Sequence, residues 1–448
     1  MSHESPEFIS RRFLSTLSSP TLSSASSELH SVSGKVDVKA LMPLTTSMLL
    51  VGSCVGMITP IMPYIVEDLQ LTTAEFGYVI SAFGGAKLLG NIPSAIMVER
   101  HGRKPYLVYS LLAVGAGTAG IGFAGGLDQL VACRLAVGLG VAALSTSATL
   151  TITDISTPNN RASTMAPVMA AFAAGTALGP AVGGLLADSI GVQSTFSLIG
   201  VAFLGNAVLN GTMLNETKSR VARGGRLVYK EKEREKEENE SFWDATQNAV
   251  GQWKPLLGNQ AVRNAILLNS CYWISLSGAQ MTLLPLFLTD PGGAFVMSAS
   301  TLGKVYAGMS AVQVLGSQPL AMLTDKIGKK PVIIAGSGIV GASICMLTQC
   351  STVEGLALAL GLWSVGGVFL STAPIAYVSD LVEEGERAQA IALLRTCGDV
   401  GLLIGATTTG ALADFTSIEG AMGFSGGFLL AATSWYIART SIGEGGSK

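Results

Sequence analysis

"VERHGRKP" at residues 98–105 and "TDKIGKKP" at residues 324–331 are two knots of charge in an otherwise apolar chain. Each runs in the same order: an acid, a glycine, a pair of cations and a proline. Each also stands between two long apolar stretches. Their near identity raises the possibility of a duplication, which the flanking sequence can test.

Outward from these loops the match continues. A shift of 226 positions carries Glu99 onto Asp325, Gly102 onto Gly328, Lys104 onto Lys330 and Pro105 onto Pro331. It carries Asp154 onto Asp380, Arg161 onto Arg387 and Asp188 onto Asp414. Gly77, Gly90 and Pro93 meet Gly303, Gly316 and Pro319, and Gly175, Gly179 and Gly184 meet Gly401, Gly405 and Gly410. These coincidences fall on glycine, proline and charge, where a shared apolar composition would not produce them. The chain is a tandem repeat.

Of the 448 residues 49% are hydrophobic and only 13% charged, too apolar for an ordinary soluble globule and suited to a bilayer. A helix needs roughly 20 mostly apolar residues to cross the hydrocarbon core. Twelve stretches meet that length, near 40–66, 76–98, 106–124, 128–152, 164–187, 193–213, 262–288, 300–323, 331–348, 355–378, 389–413 and 418–437. Six precede and six follow a polar insertion, 214–256, whose "KEKEREKEENE" reads as a solvated linker. The expected fold is an all-α membrane protein of twelve transmembrane helices in two six-helix pseudo-repeats, 40–213 and 257–437. A serine-rich tail, 1–39, is expected to be disordered, and residues 438–448 form a short C-terminal tail.

Charge sorts by loop. The loops after spans two, four, eight and ten hold Arg100, Arg103, Lys104, Arg161, Lys326, Lys329, Lys330 and Arg387. The opposite loops hold Glu67, Asp68, Asp128, Asp188, Asp290, Glu354, Asp414 and Glu419. The positive-inside rule then puts both termini and the linker in the cytoplasm, or in an organelle's matrix or stroma. Which membrane stays open: Arg11 and Arg12 in the serine-rich tail fit a transit peptide, while Glu4 and Glu7 do not.

Composition excludes several chemistries. Six cysteines show no metal or disulfide spacing, and His3, His30 and His101 lie in the tail and a loop, so no metal site or cofactor is expected. Nothing suggests nucleic acid. "RTCGDVG" at 395–401 lacks the first glycine and the second embedded aspartate of an intramembrane aspartyl protease, so no enzyme is expected.

The segments "AIMVERHGRK" (95–104) and "AMLTDKIGKK" (321–330) resemble the loop motif G-x-L-x-D-R-x-G-R-K of the major facilitator superfamily. "RLAVGLGVAA" from Arg134 is similar to that family's fourth-span arginine motif, and "GTALGPAVGG" (175–184) to the fifth-span motif of its antiporters. The resemblance implies a monomeric carrier that moves a small solute by alternating access, with spans one, four, seven and ten lining the cavity. The alternative is a sensor or scaffold of the same shape without net transport.

Three groups of candidate residues follow. Ionisable groups at membrane depth are functional suspects, which singles out Lys87, Arg134, Arg395 and Asp399. Lys87 shares a helical face with Asn91, and Arg395 lies one turn from Asp399, so an intrahelical ion pair and a functional role are both open. In span seven, Asn269, Tyr272, Trp273 and Gln280 fall on one side at helical spacing and could grip a solute. Three deep cations against one carboxylate suggest an anionic or zwitterionic solute, and Asp399 makes proton-coupled antiport or symport an expectation. A second group gates the cytoplasmic end: Glu99 and Asp325, with Arg100, Arg103, Lys104, Lys326, Lys329 and Lys330 as cations. Asp154 with Arg161 and Asp380 with Arg387 form its second layer, and Gly102 and Gly328 permit the turns. Third, Gly175, Gly179, Pro180, Gly183 and Gly184 form a packing face, which the resemblance places between the two bundles.

Overall fold

The structure, a computed structural model, describes residues 38–156, 160–217 and 253–445, with positions 247 and 251. The expected tail and most of the expected linker lie outside the described residues. Twelve long helices follow one another: α1 (Val38–Asp68), α2 (Thr73–His101), α3 (Arg103–Ile121), α4 (Leu127–Ile155), α5 (Arg161–Ile190) and α6 (Val192–Met213). After a single-turn helix, Trp253–Gly258, come α7 (Gln260–Thr289), α8 (Ala299–Ile327), α9 (Lys329–Leu347), α10 (Val353–Asp380), α11 (Arg387–Phe415) and α12 (Ile418–Gly445). The last helix runs on to Gly445, into the stretch expected as a C-terminal tail.

Nine of these described helices are long and apolar enough to cross a membrane. The other three, α3, α8 and α12, have 19, 29 and 28 residues and the same helical form. Their hydropathy is diluted by polar residues: Arg103 and Lys104 open α3, Lys304, Gln313 and Gln318 punctuate α8, and α12 carries serines, threonines and glycines.

The duplicated loops have a direct backbone reason. Gly102 and Gly328 adopt φ 112° and 97°, a region where a Cβ is strained, so each ends one helix and starts the next with no intervening linker. Their amides close the preceding helices onto Val98 and Thr324 carbonyls. The chain therefore reverses within one residue and leaves its cations at the first turn of α3 and α9.

Apolar cores follow the repeat. Leu44, Ile61, Met62, Phe76, Leu111 and Phe203 centre the α1–α6 bundle, and Leu283, Ile344, Trp363 and Tyr436 the α7–α12 bundle. Within the first bundle α5 lies on α1 at backbone contact: a Cβ on Gly175 or Gly179 would stand 2.2 or 2.4 Å from the Leu49 or Ser53 carbonyl oxygen. Their repeat partners Gly401 and Gly405 pack α11 on α7 in the same way, 2.8 and 2.2 Å from the Ser270 and Ile274 oxygens. Large apolar side chains such as Leu89, Val208 and Leu315 face outward, as lipid-facing positions do.

In α7 the regular helix is interrupted. Leu276–Leu283 is a π-helix, and Pro285, which has no N–H, cannot bond back into it. The Tyr306 hydroxyl donates instead to the Gln280 carbonyl at 2.7 Å, five residues before the proline. The wider turn pushes Ser277 and Gly278 onto α11, where Ser277 Oγ donates to the Leu402 carbonyl at 2.7 Å.

Candidate functional site

The two bundles meet along two seams, α2 against α11 and α5 against α8. The acidic end of each seam is closed by a carboxylate that caps a helix of the other bundle. Asp414 accepts from the Thr73 and Ala74 amides of α2 at 3.0 and 3.1 Å, and Asp188 accepts from the Ser300 amide of α8 at 2.9 Å. Helix N-termini carry unpaired amides and a partial positive charge, so an acid there is well placed. Below the caps the backbones touch. A Cβ on Gly77 would stand 2.4 Å from the Ala406 oxygen, on Gly410 2.7 Å from the Thr73 oxygen, on Gly184 2.2 Å from the Ala299 oxygen and on Gly303 2.3 Å from the Pro180 oxygen. Gly77 and Gly303, Gly184 and Gly410, and Asp188 and Asp414 are all repeat partners, so the two seals are copies.

At mid-depth the copies part. Lys87 Nζ on α2 donates to Asp399 Oδ1 on α11 at 2.7 Å, and Asn91 Nδ2 donates to Oδ2 at 3.1 Å. Asp399 is buried, while the Lys87 side chain keeps 30% exposure. One turn nearer the basic end, Arg395 is exposed and its side chain makes no ion pair among the described residues. The intrahelical pair with Asp399 does not form, because α2 supplies the counterion. Trp273 packs against Gly398 and Gly401, beside Asp399.

One turn further toward the acidic end, Arg134 of α4 is buried. Its Nε donates to the Val79 carbonyl at 3.3 Å and its guanidinium lies 5.0 Å from the centre of the Phe83 ring. Gly138 makes this possible, since α4 approaches the Phe83 carbonyl so closely that a Cβ would stand 2.6 Å away.

The span-seven residues do not share one face. Tyr272 is buried toward Gly367 and Gln313, Trp273 turns to α11, and the π-helix displaces Gln280 from the α-helical register that the spacing assumed. Tyr272 and Trp273 rings meet edge to face at 5.8 Å, and Asn269 is buried in α7.

The basic end is arranged differently from the sequence expectation. Asp154 pairs with Arg103 at 2.9 Å rather than with Arg161, and Asp380 pairs with Lys329 rather than with Arg387, whose Nε donates to the Ser379 carbonyl at 3.3 Å. Both pairs lie inside one bundle and are repeat partners of each other. Glu99 and Asp325 stand exposed at the ends of α2 and α8 and form no ion pair among the described residues. Thr217 Oγ1 also donates to Asp154, and Glu216 accepts from the Arg103 and Lys104 amides at 3.0 Å each. Here the bundles separate: Val314, Met322 and Leu323, on several sides of α8, are all exposed.

The sequence profile of the Major Facilitator Superfamily matches residues 44–294 and 276–448. The chain belongs to the Major Facilitator Superfamily. Among its relatives, an uncharacterized MFS-type transporter of Methanocaldococcus jannaschii is 23% identical over 85% of this chain and 92% of its own. Multidrug resistance protein 1 of Bacillus subtilis is 28% identical over 32% of this chain and 37% of its own length. A solved structure of a bacterial homolog to the human lysosomal transporter Spinster superposes with a TM-score of 0.75 at 16% identity, covering 90% of this chain and 97% of that one.

Within this major facilitator fold, Gly175, Gly179 and Gly183 face α1 of their own bundle, and only Pro180 and Gly184 reach α8 of the other. The sequence reading took Asp188 and Asp414 only as repeat partners and loop acids, without a site role, and did not single out Glu216. For the first two a signal existed: they align in the repeat, and the helices that they cap have N-cap residues Thr72 and Ser298, which are repeat partners as well.

Proposed function

We propose that this protein is a secondary carrier that moves a small organic solute across a membrane by alternating access. All twelve helices span the bilayer, the basic end faces the cytoplasm or an equivalent compartment, and the structure is the inward-open state of a monomer. The observation that carries this reading is the placement of contacts: the bundles are sealed along their acidic halves by capped, glycine-lined seams and apart at the basic end. Membership of the family and the transport named for its relatives support it, and Asp399 is the group best placed to bind a coupling proton.

The test is a pair of distances. Spin labels at Gln70 and Val296 report on the acidic end, and labels at His101 and Ile327 on the basic end, in protein reconstituted in nanodiscs. We expect two populations in which one distance lengthens as the other shortens, together with flux of at least one solute into liposomes. A single fixed distance at each end, with no flux, would instead make the protein a sensor or scaffold.

A further inference from the structure

At mid-depth the charges on the α2/α11 seam do not balance. Lys87 and Asp399 cancel, and Arg395 leaves one positive charge over. Contacts of Asp399, Leu402, Leu403, Ala406 and Gly410 fix the face of α11 that looks at α2. Arg395 continues that stripe, four residues and about 6 Å before Asp399. Asp399 carries a single negative charge, already matched by the Lys87 ammonium it holds while Asn91 donates to its other oxygen, so it cannot also neutralise the guanidinium. Lys87 uses one of its three N–H donors on Asp399 and stays 30% exposed. The duplication supplies nothing similar: on the α5/α8 seam the corresponding positions are Gln313, Ala173 and Met169. A cation at membrane depth with no carboxylate partner is costly, and a frame that works elsewhere without it has no structural need of it.

We infer that the solute is an organic anion whose carboxylate or phosphate group binds on this seam, bridging the free donors of Lys87 and the guanidinium of Arg395. The inference rests on the carrier reading above and names its substrate class. One negative charge makes the group Lys87, Asp399, Arg395 and ligand neutral, so a monoanion suffices and no protonation of Asp399 is required for binding. Asn91 acts as a positioning residue: it fixes the Asp399 carboxylate, which in turn aims Lys87. Arg134 lies outside this cluster, held on Phe83 and the Val79 carbonyl.

The experiment measures thermal stabilisation of the full chain in nanodiscs of zwitterionic lipid. The probes are benzoate and glycerol 3-phosphate, their neutral counterparts benzamide and glycerol, and the cation tetraphenylphosphonium. A further arm adds phosphatidylglycerol without soluble ligand, since a lipid headgroup carries the same chemistry. We expect an anionic probe to stabilise the wild-type protein and its neutral counterpart not to. The half-saturating concentration should rise about tenfold or more in Arg395→Gln, the loss of one charge-assisted contact. The double variant Lys87→Gln/Asp399→Asn, which leaves no buried charge unpaired, should show the same rise. Stabilisation only by the neutral or cationic probes, only by phosphatidylglycerol, or equally in wild type and both variants would overturn the inference. So would a protein that ignores both anions while its spin labels still exchange between two states, an outcome that leaves the carrier reading standing.

Discussion

The α2/α11 and α5/α8 seams are copies at their acidic ends and strangers at mid-depth. Both carry an aspartate on a helix N-terminus and a glycine at backbone contact, in positions 226 apart. Among the described residues only the first carries an ion pair, Lys87 with Asp399, and an arginine without a carboxylate partner beyond it. The symmetric parts are what a duplicated frame needs in order to close. The asymmetric part is what the frame can do without, and there the inference above puts the specific chemistry of this carrier. Variants that strike one seam and then its copy separate the two contributions.

Asp399→Ala should have the largest effect. Removing one partner of a buried ion pair typically costs about 3–5 kcal/mol, and the lower end applies because Lys87 is 30% exposed. If that penalty falls on the transport cycle, flux drops more than about 100-fold. Ala173→Ser, at the corresponding place on the other seam, should leave flux within about twofold, as substitutions away from special features do. Equal losses at both positions, measured as initial uptake into liposomes at matched protein content, would erase the distinction between seams.

Second come the glycines, where the copies should behave alike. Gly77→Ala and Gly303→Ala each drive a methyl group into a backbone oxygen of the opposing bundle, at 2.4 and 2.3 Å, and backbone cannot swing aside. Overpacking of this kind costs about 1–3 kcal/mol, and it acts only while the acidic end is closed. Both variants should shift the spin-label populations toward the state open at the acidic end by similar amounts. A large shift in one and none in the other would show that the seams do not open together.

How much of this could be read from the sequence depends on how local the cause is. The turns at Gly102 and Gly328, the order of the helices and the repeat are set by residues close in the chain and were legible, whereas the end of α12, which runs on to Gly445, was not. The partners of the charges were not. Asp154 and Asp380 have Arg161 and Arg387 seven residues away, yet pair with Arg103 and Lys329, 51 residues away, because α3 packs on α4 and α9 on α10. Asp399 likewise takes Lys87 across the bundle interface in place of Arg395 on its own helix. The π-helix in α7 was hidden too: Pro285 marks a missing donor, but the hydroxyl that compensates comes from Tyr306 on another helix. Helical periodicity assumes a constant turn, so it placed Gln280 with Tyr272 and Trp273.

The caps offer a finer comparison within the shared part of the seams. Asp414 receives two backbone amides and Asp188 one. A carboxylate at a helix N-terminus contributes about 0.3–1 kcal/mol at an exposed position, so Asp414→Asn should raise the population open at the acidic end about two- to fivefold. Asp188→Asn should raise it less. The order matters more than the size, because it follows from hydrogen-bond number alone. If Asp188→Asn has the larger effect, the seal at α5/α8 depends on more than its cap, and Tyr64, which donates to the Met297 carbonyl beside it at 2.8 Å, becomes the next residue to change.

The smallest effects are expected at the basic end, where each ion pair ties two helices of the same bundle. Neither bridges the bundles in this state, so breaking one should alter stability without moving the distance between labels at His101 and Ile327. Arg103 and Asp154 are 12% and 9% exposed, and Thr217 shares the carboxylate, whereas Lys329 and Asp380 are 29% and 58% exposed. Solvent screens the second pair far more, and exposed pairs contribute about 1 kcal/mol or less. Arg103→Ala should therefore lower the melting temperature by more than Lys329→Ala, with the Lys329 variant close to wild type and further masked by salt. Should Lys329→Ala prove the more damaging, or should either variant change the distance at the basic end, these pairs would have to exchange partners across the bundles during the cycle, with Glu99 and Asp325 the exposed acids nearest to hand.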